Sequence, residues 1–266
     1  MNLIVRSDAA TAGSVTAHAK LSNDHVLAEL ARNWSNSSTA VTMHSGLPLE
    51  WLVGQPKPTL ASANRNWQLL AKRVTDIFGA SLALAFLMPL LVLVALAIKL
   101  TSRGPVLYLQ RREGQYGELF TIFKFRSMRM EDCDQSGITQ AQGDDPRVTP
   151  LGRFLRRTSI DELPQLVNVV LGHMSLVGPR PHVPNMKAAG KSYRELVPYY
   201  QDRLTMRPGI SGWAQVNGFR GPTSEASRAI GRIDHDIAYI QNFSLFLDVK
   251  IVIDTIRCEF LQGSGV

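Results

Sequence analysis

The sequence predicts an α/β chain: a small α/β domain carried on a re-entrant membrane helix hairpin, with amphipathic helices suited to a membrane interface. Three observations predict it. From Ile77 to Ile98 run 22 residues without a charge. Beyond Gly104, short strand-like runs alternate with helical periodicities. The charge is also uneven: residues 65–130 hold ten basic and three acidic side chains, whereas residues 1–64 hold four of each and residues 131–266 fifteen of each. The whole net charge of +7 therefore brackets the apolar run. That placement suits an anionic membrane surface and not a nucleic-acid duplex, whose binders spread their excess along a groove or recognition helix.

The expected parts follow in order. Residues 1–64 are rich in Ser, Thr, Ala and Asn, with Pro48, Pro56 and Pro58 near their end, and read as a poorly ordered arm. Val26 to Trp34 could form one short helix, and no secretory leader is evident. Residues 65–103 form the membrane segment. A 22-residue helix would reach about 33 Å, the thickness of a bilayer core. Pro89 falls near its middle and should kink it. Arg65, Lys72 and Arg73 precede the run, and Lys99 and Arg103 follow it. Symmetric basic flanks around a central breaker favour a hairpin that enters and leaves by one face, with both ends in the cytoplasm; a kinked ordinary span is the competing arrangement.

Residues 104–266 form the α/β domain. Strands are expected over 106–110 and 119–125 around the turn GQYG at 114–117, then a polar, acidic loop over 131–147 and helices over 147–157 and 162–171. Val249, Val252, Ile253, Ile256 and Phe260 recur at helical spacing. Core packing of that stripe is favoured over contact with a membrane interface.

Composition excludes several classes. With 266 residues, core size is no obstacle. Charged residues are 19% of the chain, against a usual share of about 25%. The two cysteines, Cys133 and Cys258, rule out a disulfide scaffold and a structural zinc site. The P-loop, GxGxxG, HExxH and GxSxG signatures are missing.

The chemistry concentrates in RRTSIDELPQL at 156–166. Ser159 and Glu162 fit a capping box, and Pro164 suits only an early helical position, so Asp161 belongs to a helix start. Taken alone, the fragment reads as two capping acids. The free N–H groups and positive dipole end of a helix would also hold a phosphate and keep Asp161 ionised, and an ionised carboxylate can attack phosphorus. Glu162 could hold Mg²⁺, with Arg153, Arg156 and Arg157 upstream for further phosphate oxygens. MSLVGPRP at 174–181 sets Arg180 between two prolines. RPGISGWAQVNG at 207–218 places Arg207 before a proline and Trp213 among glycines. That segment reads equally as a nucleotide-gripping turn or as a stiff connector with a buried Trp.

KRVTDIFGA at 72–80, the Pro-broken apolar run, KFRSM at 124–128, TSIDELPQL, MSLVGPRP and RPGISGWAQVNG occur together in this order. The chain thereby resembles the bacterial sugar transferases, monotopic phosphoglycosyl transferases, over roughly residues 65–262. The resemblance implies transfer of a hexose-1-phosphate from a UDP-sugar, with glucose or galactose the usual donors, to undecaprenyl phosphate. UMP would be released, as the first step of exopolysaccharide repeat-unit assembly. It implies a catalytic set of Asp161 as nucleophile, Glu162 as Mg²⁺ ligand, Lys124 and Asp236, the last standing before Tyr239 in a D-x-x-Y pattern. It implies substrate binding by Arg126, Arg156 and Arg180, to which Arg207 is added from its own motif, and a re-entrant helix broken at Pro89. It further implies the inner membrane, with the domain facing the cytoplasm, membrane lipids as surroundings, downstream glycosyltransferases as partners and no nucleic acid. His173 departs from the family pattern, which carries Asp there in many members.

A ping-pong course is expected, in which Asp161 takes the phosphosugar and the lipid phosphate resolves it. A Mg²⁺-dependent lipid-diphosphate hydrolase and a non-enzymatic basic membrane scaffold are the rival readings; the scaffold leaves Asp161, Glu162 and Arg180 without a task.

Overall fold

A computed structural model of the chain describes residues 63–129, 145–223 and 225–262. The expected arm, its short helix over 26–34 and most of the acidic loop over 131–147 lie outside these residues. Helix α1 (Ala63–Thr101) is 39 residues long and contains Pro89 without an intervening turn. It is long and apolar enough to cross a membrane. Proline removes one backbone donor, so the Ala85 carbonyl lacks its usual helical partner there.

One face of α1 is covered. Ala80 packs with Phe120, Ile122, Leu166, Val169 and Met174. Beyond Pro89, Val94 and Ile98 pack with Phe125 and Leu155. The opposite face carries Leu70, Val74, Phe78, Leu82, Phe86, Leu93, Leu96 and Leu100, spaced three or four residues apart except across Pro89, and exposed; Phe86 is 81% and Leu100 85% exposed.

The α/β domain is built from small pieces. Strands β1 (Leu107–Glu113) and β2 (Leu119–Phe125) form an antiparallel hairpin, as expected, though β1 runs three residues further than its apolar run. Helix α2 (Pro150–Arg157) starts at Thr149, whose Oγ1 accepts from Gly152 N at 2.9 Å. Gly152 is needed there, because a Cβ would sit 1.9 Å from the Ser127 carbonyl oxygen that follows β2. A 3₁₀ turn (Ile160–Glu162) then leads into α3 (Gln165–Leu171).

Strand β3 (Ser175–Val177) pairs in parallel with β6 (Gly209–Ser211). The pairing is close enough that a Cβ on Gly209 would meet Gly178 N at 2.1 Å. This backbone contact explains the glycines shared by VGPRP and RPGISG. Between the two strands lie a two-residue ladder, β4 (Lys187–Ala188) with β5 (Lys191–Ser192), the short helix α4 (Tyr193–Leu196) and a 3₁₀ segment (Tyr200–Thr205). After β6 come α5 (Trp213–Val216), α6 (Ala226–Gln241) and α7 (Leu245–Gln262).

Of the stripe expected to pack α7 into the core, Val252 packs inward but Val249, Ile253 and Ile256 face outward. Phe246 is exposed as well, at 81%. The buried side is made by Ile251, with Leu247 and Val252 packed alongside against Trp213 and Tyr239. Trp213 is thus a core residue, and its ring is not free to grip a nucleotide.

Both ends of the apolar run are tied to this domain. Near its start, Lys72 Nζ donates to Asp248 Oδ2 at 2.6 Å, Arg73 donates to the carbonyls of Val169 and Val170, and Asp76 Oδ1 accepts from Leu176 N. At its end, the Arg126 guanidinium donates to the carbonyls of Ser102 and Arg103 and to Ser102 Oγ.

Candidate active site

Asp161 and Glu162 are placed by a sharp reversal between α2 and α3. Ser159 adopts a left-handed conformation, with φ +53°, a region that side-chain-bearing residues seldom occupy and that often marks functional sites. The predicted capping box is not formed: the Ser159 side chain caps nothing, and Glu162 turns to partners distant in sequence. Glu162 Oε1 accepts from Lys124 Nζ and from Arg180 Nη2, each at 2.7 Å, and Oε2 accepts from Arg180 Nη1 at 3.2 Å. Lys124 comes from β2, so the site is assembled across the hairpin, the turn and the PRP segment.

The two neighbouring carboxyls differ in proton affinity. Burial pushes the Asp161 carboxyl up to about 6, with the negative Glu162 adding to the effect and Lys124, Arg156 and Arg180 opposing it. Burial acts on Glu162 in the same sense, but Arg180 and Lys124 outweigh it and hold that carboxyl well below the usual range. Sequence reasoning expected a helix dipole to favour ionised Asp161. The dominant influence is desolvation, because the turn is buried and only three residues long.

Arg180 is held from its backbone. A segment with prolines at 179 and 181 lacks two N–H donors, so its carbonyls carry the anchoring. The Pro179 carbonyl accepts from Gly209 N at 2.9 Å, that of Arg180 from Arg203 Nη2 at 2.5 Å, that of Pro181 from Arg112 Nη1 at 3.1 Å and that of His182 from Glu113 N at 2.9 Å. Four different contacts thus fix the base of the arginine that grips Glu162.

The structure brings together Lys124, Asp161, Glu162 and Arg180, with Arg156 close enough to act on Asp161. The remaining predicted residues lie elsewhere. Asp236 is fully buried on α6, where its Oδ2 accepts from Arg203 Nε at 3.0 Å and Nη2 at 2.8 Å; it reaches the site only through the Arg180 carbonyl. Arg126 is buried with its guanidinium on the C-terminal carbonyls of α1, where it caps that helix. The Arg207 charge acts on Arg73, at the start of the apolar run. His173 is exposed on the rim of α3, its ring centroid 5.8 Å from that of Phe120.

Sequence reasoning missed Arg112, Arg203 and Asn168. Asn168, on α3, is wholly buried; its Oδ1 accepts from Phe123 N and its Nδ2 donates to the Thr121 carbonyl, fastening α3 to β2. Nothing in the local composition marks the three, since each holds at least one backbone group far along the chain.

Mg²⁺ needs few protein ligands: one or two carboxylates suffice, with water and substrate phosphate completing its shell. Among the described residues no three acidic, His or Cys side chains converge. Glu162 Oε2 receives a single long hydrogen bond and keeps acceptor capacity, with Asp161 adjacent, so the donor set fits the ion in this limited way.

Residues 67–262 match the family model described as bacterial sugar transferase. An exopolysaccharide production protein of Rhizobium leguminosarum bv. phaseoli is 50% identical over 197 residues, which are 74% of this chain and 98% of that one. An undecaprenyl-phosphate glucose phosphotransferase of Komagataeibacter xylinus is 49% identical over 199 residues, 75% of this chain and 37% of its own. A UDP-N-acetylgalactosamine-undecaprenyl-phosphate N-acetylgalactosaminephosphotransferase of Aeromonas hydrophila is 46% identical over 194 residues, 73% of this chain and 44% of its own. The chain thus spans nearly the whole of the first relative and less than half of the other two. With KFRSM, TSIDELPQL, MSLVGPRP and RPGISGWAQVNG all inside the matched region, the chain belongs to the bacterial sugar transferase family.

Proposed function

We propose that the protein transfers a hexose-1-phosphate from a UDP-sugar to undecaprenyl phosphate, releasing UMP, as the opening step of exopolysaccharide repeat-unit assembly. The observation that carries this reading is the divided carboxylate pair: Asp161 near 6 and Glu162 held ionised by Lys124 and Arg180. At neutral pH Asp161 is mostly ionised yet poorly solvated, which suits a nucleophile toward phosphorus. Asp161 attacks the sugar-bearing phosphorus, the bond to UMP breaks, and the aspartyl phosphosugar is then resolved by the lipid phosphate. Lys124 and Arg180 stand where charge builds on the transferring phosphoryl group. Bound Mg²⁺, held by Glu162, would supply neutralisation of diphosphate charge.

The same reading gives the apolar run a topology. Both of its ends bond to one domain, through Lys72, Arg73 and Asp76 at the start and Arg126 at the finish. This supports entry and exit by one membrane face, the cytoplasmic face of the inner membrane, with the outward stripes of α1 and α7 toward lipid.

The test is UMP release by the purified protein from a panel of UDP-sugars, with and without undecaprenyl phosphate. Multiple-turnover release that requires the lipid, for at least one donor, supports the transferase, with at most one UMP per protein released in its absence. Multiple-turnover release without any acceptor would make the protein a hydrolase, and no release from any donor would overturn the reading.

A further inference from the structure

Arg112 has a donor with nowhere to point. Along β1, Tyr108, Gln110 and Arg112 share the face on which Lys124 lies across the ladder, since Tyr108 pairs with Lys124 and Arg112 with Phe120. The guanidinium is fixed at two corners: Nη1 donates to the Pro181 carbonyl at 3.1 Å and Nη2 to Gln110 Oε1 at 2.5 Å. Its Nε–H is shielded from solvent and meets no acceptor. A charged donor left so is costly, and native folds seldom keep one without a reason.

Its surroundings indicate the missing partner. Arg112 is electrostatically coupled to Arg180 and Glu162, and Lys124 is coupled to Arg112. Three cations therefore crowd around Glu162, which two of them already engage, with Asp161 the one other carboxyl acting among them. Burial and the neighbouring Arg180 lower the proton affinity of Arg112 to about 10, still charged at neutral pH. An anion with several oxygens relieves the repulsion and accepts the idle N–H together.

We infer that Arg112 is a third phosphate-binding cation of this site, donating Nε–H to a phosphoryl oxygen of the bound substrate. The inference rests on the transferase reading above and adds a residue to it. The oxygen could belong to the diphosphate of the nucleotide sugar or to the lipid phosphate, and the experiment separates the two.

The full-length protein in detergent or nanodiscs is compared with Arg112→Gln and Arg112→Lys. Binding of UDP and of uridine is measured by calorimetry, the Michaelis constant for undecaprenyl phosphate by UMP release, and folding by thermal melting. Loss of one charge-assisted hydrogen bond should narrow the preference for UDP over uridine by about 10- to 100-fold in Arg112→Gln. Lysine keeps the charge without the planar fork and should restore only part. An unchanged UDP preference with a raised constant for undecaprenyl phosphate assigns the same contact to the lipid phosphate.

Because Arg112 also braces Pro181, Arg112→Gln is repeated in an Arg180→Gln background. A direct phosphate contact persists there, whereas an effect transmitted through Arg180 disappears and overturns the inference. Folded Arg112 variants with unchanged binding and unchanged constants overturn it too, while leaving the transferase reading intact. A wild-type protein that neither prefers UDP to uridine nor releases UMP from any donor overturns that reading, and this inference with it.

Discussion

Lys72 Nζ lies 2.6 Å from Asp248 Oδ2, and the phenol of Tyr239 donates to Asp248 Oδ1 at 2.7 Å. This buried pair joins the head of the apolar helix to the last helix of the domain, 176 positions later in sequence. Removing one partner of such a pair strands the other, at about 3–5 kcal/mol. Asp248→Asn should therefore lower the melting temperature markedly in nanodiscs, and pairing it with Lys72→Met should recover part of the loss. Equal melting of the parent and both variants would show the pair to be dispensable.

The Asp161 carboxyl, raised to about 6, gives activity and stability opposite dependences on pH. Below about pH 6 it protonates and ceases to be a nucleophile, so the rate should fall about tenfold per pH unit. Folding disfavours the ionised form, so this group destabilises the native state above its folded value, and the penalty fades as pH falls through 6 toward 4. Raising a carboxyl from 3.8 to about 6 costs about 3 kcal/mol at neutral pH. Asp161→Asn should thus be inactive, trap no sugar phosphate from a labelled UDP-sugar that the parent uses, and melt higher than the parent at pH 7. A variant that melts lower would contradict the cost assigned to burial.

Glu162 raises its neighbour by charge and anchors two cations. Glu162→Gln should move the acid limb of the rate profile below that of the parent, because Asp161 loses a negative neighbour. It should also slow turnover by about 100-fold or more, as expected when charge-stabilising groups lose their arrangement. The Mg²⁺ titration of the rate should shift to higher concentration. An unmoved acid limb would disconnect the two carboxyls.

Asp236 and Arg203 form a buried pair whose arginine also holds the Arg180 carbonyl. Asp236→Asn leaves Arg203 uncompensated and should destabilise the fold by about 3–5 kcal/mol. In the folded fraction, the Michaelis constant for the UDP-sugar should rise through a looser Arg180. A rate defect with parental stability would instead put Asp236 in contact with substrate.

Topology is tested with Cys133 and Cys258 first replaced, and single cysteines introduced near residues 60 and 105. Both sites should resist a membrane-impermeant thiol reagent applied from the periplasmic side. Pro89→Leu restores the missing helical hydrogen bond and should favour a straight crossing, exposing one site. Exposure of one site in the parent would establish an ordinary span.

Elements with strong local signals were legible. The uncharged run, the GQYG hairpin and the Asp161–Glu162 pair each announce themselves within a single short stretch of sequence. What escaped depends on distant partners. Ser159 and Glu162 satisfy a capping box on paper, yet Lys124 and Arg180 offer Glu162 stronger, charge-assisted bonds. Lys124 and Arg126 stand two apart in KFR, where strand alternation alone would set them on one face; β2 ends at Phe125, so Arg126 lies past the strand and reaches the end of α1 while Lys124 reaches the carboxylate. The α7 stripe misled because outward and inward apolar faces have one periodicity. Arg112 and Arg203 could not be singled out, since each brings a distant backbone carbonyl of the PRP segment into play, at Pro181 and Arg180.

The outward apolar residues of α1 and α7 also bear on how such an enzyme finds its acceptor. A protein afloat in a lipid leaflet searches in two dimensions, and a lipid confined to that leaflet is concentrated relative to the surrounding solution. Encounter is then governed by lateral diffusion and by how the site is oriented in the plane. Weak intrinsic affinity for the long isoprenoid tail would suffice, because the leaflet solvates the tail and leaves the protein only the phosphate to recognise.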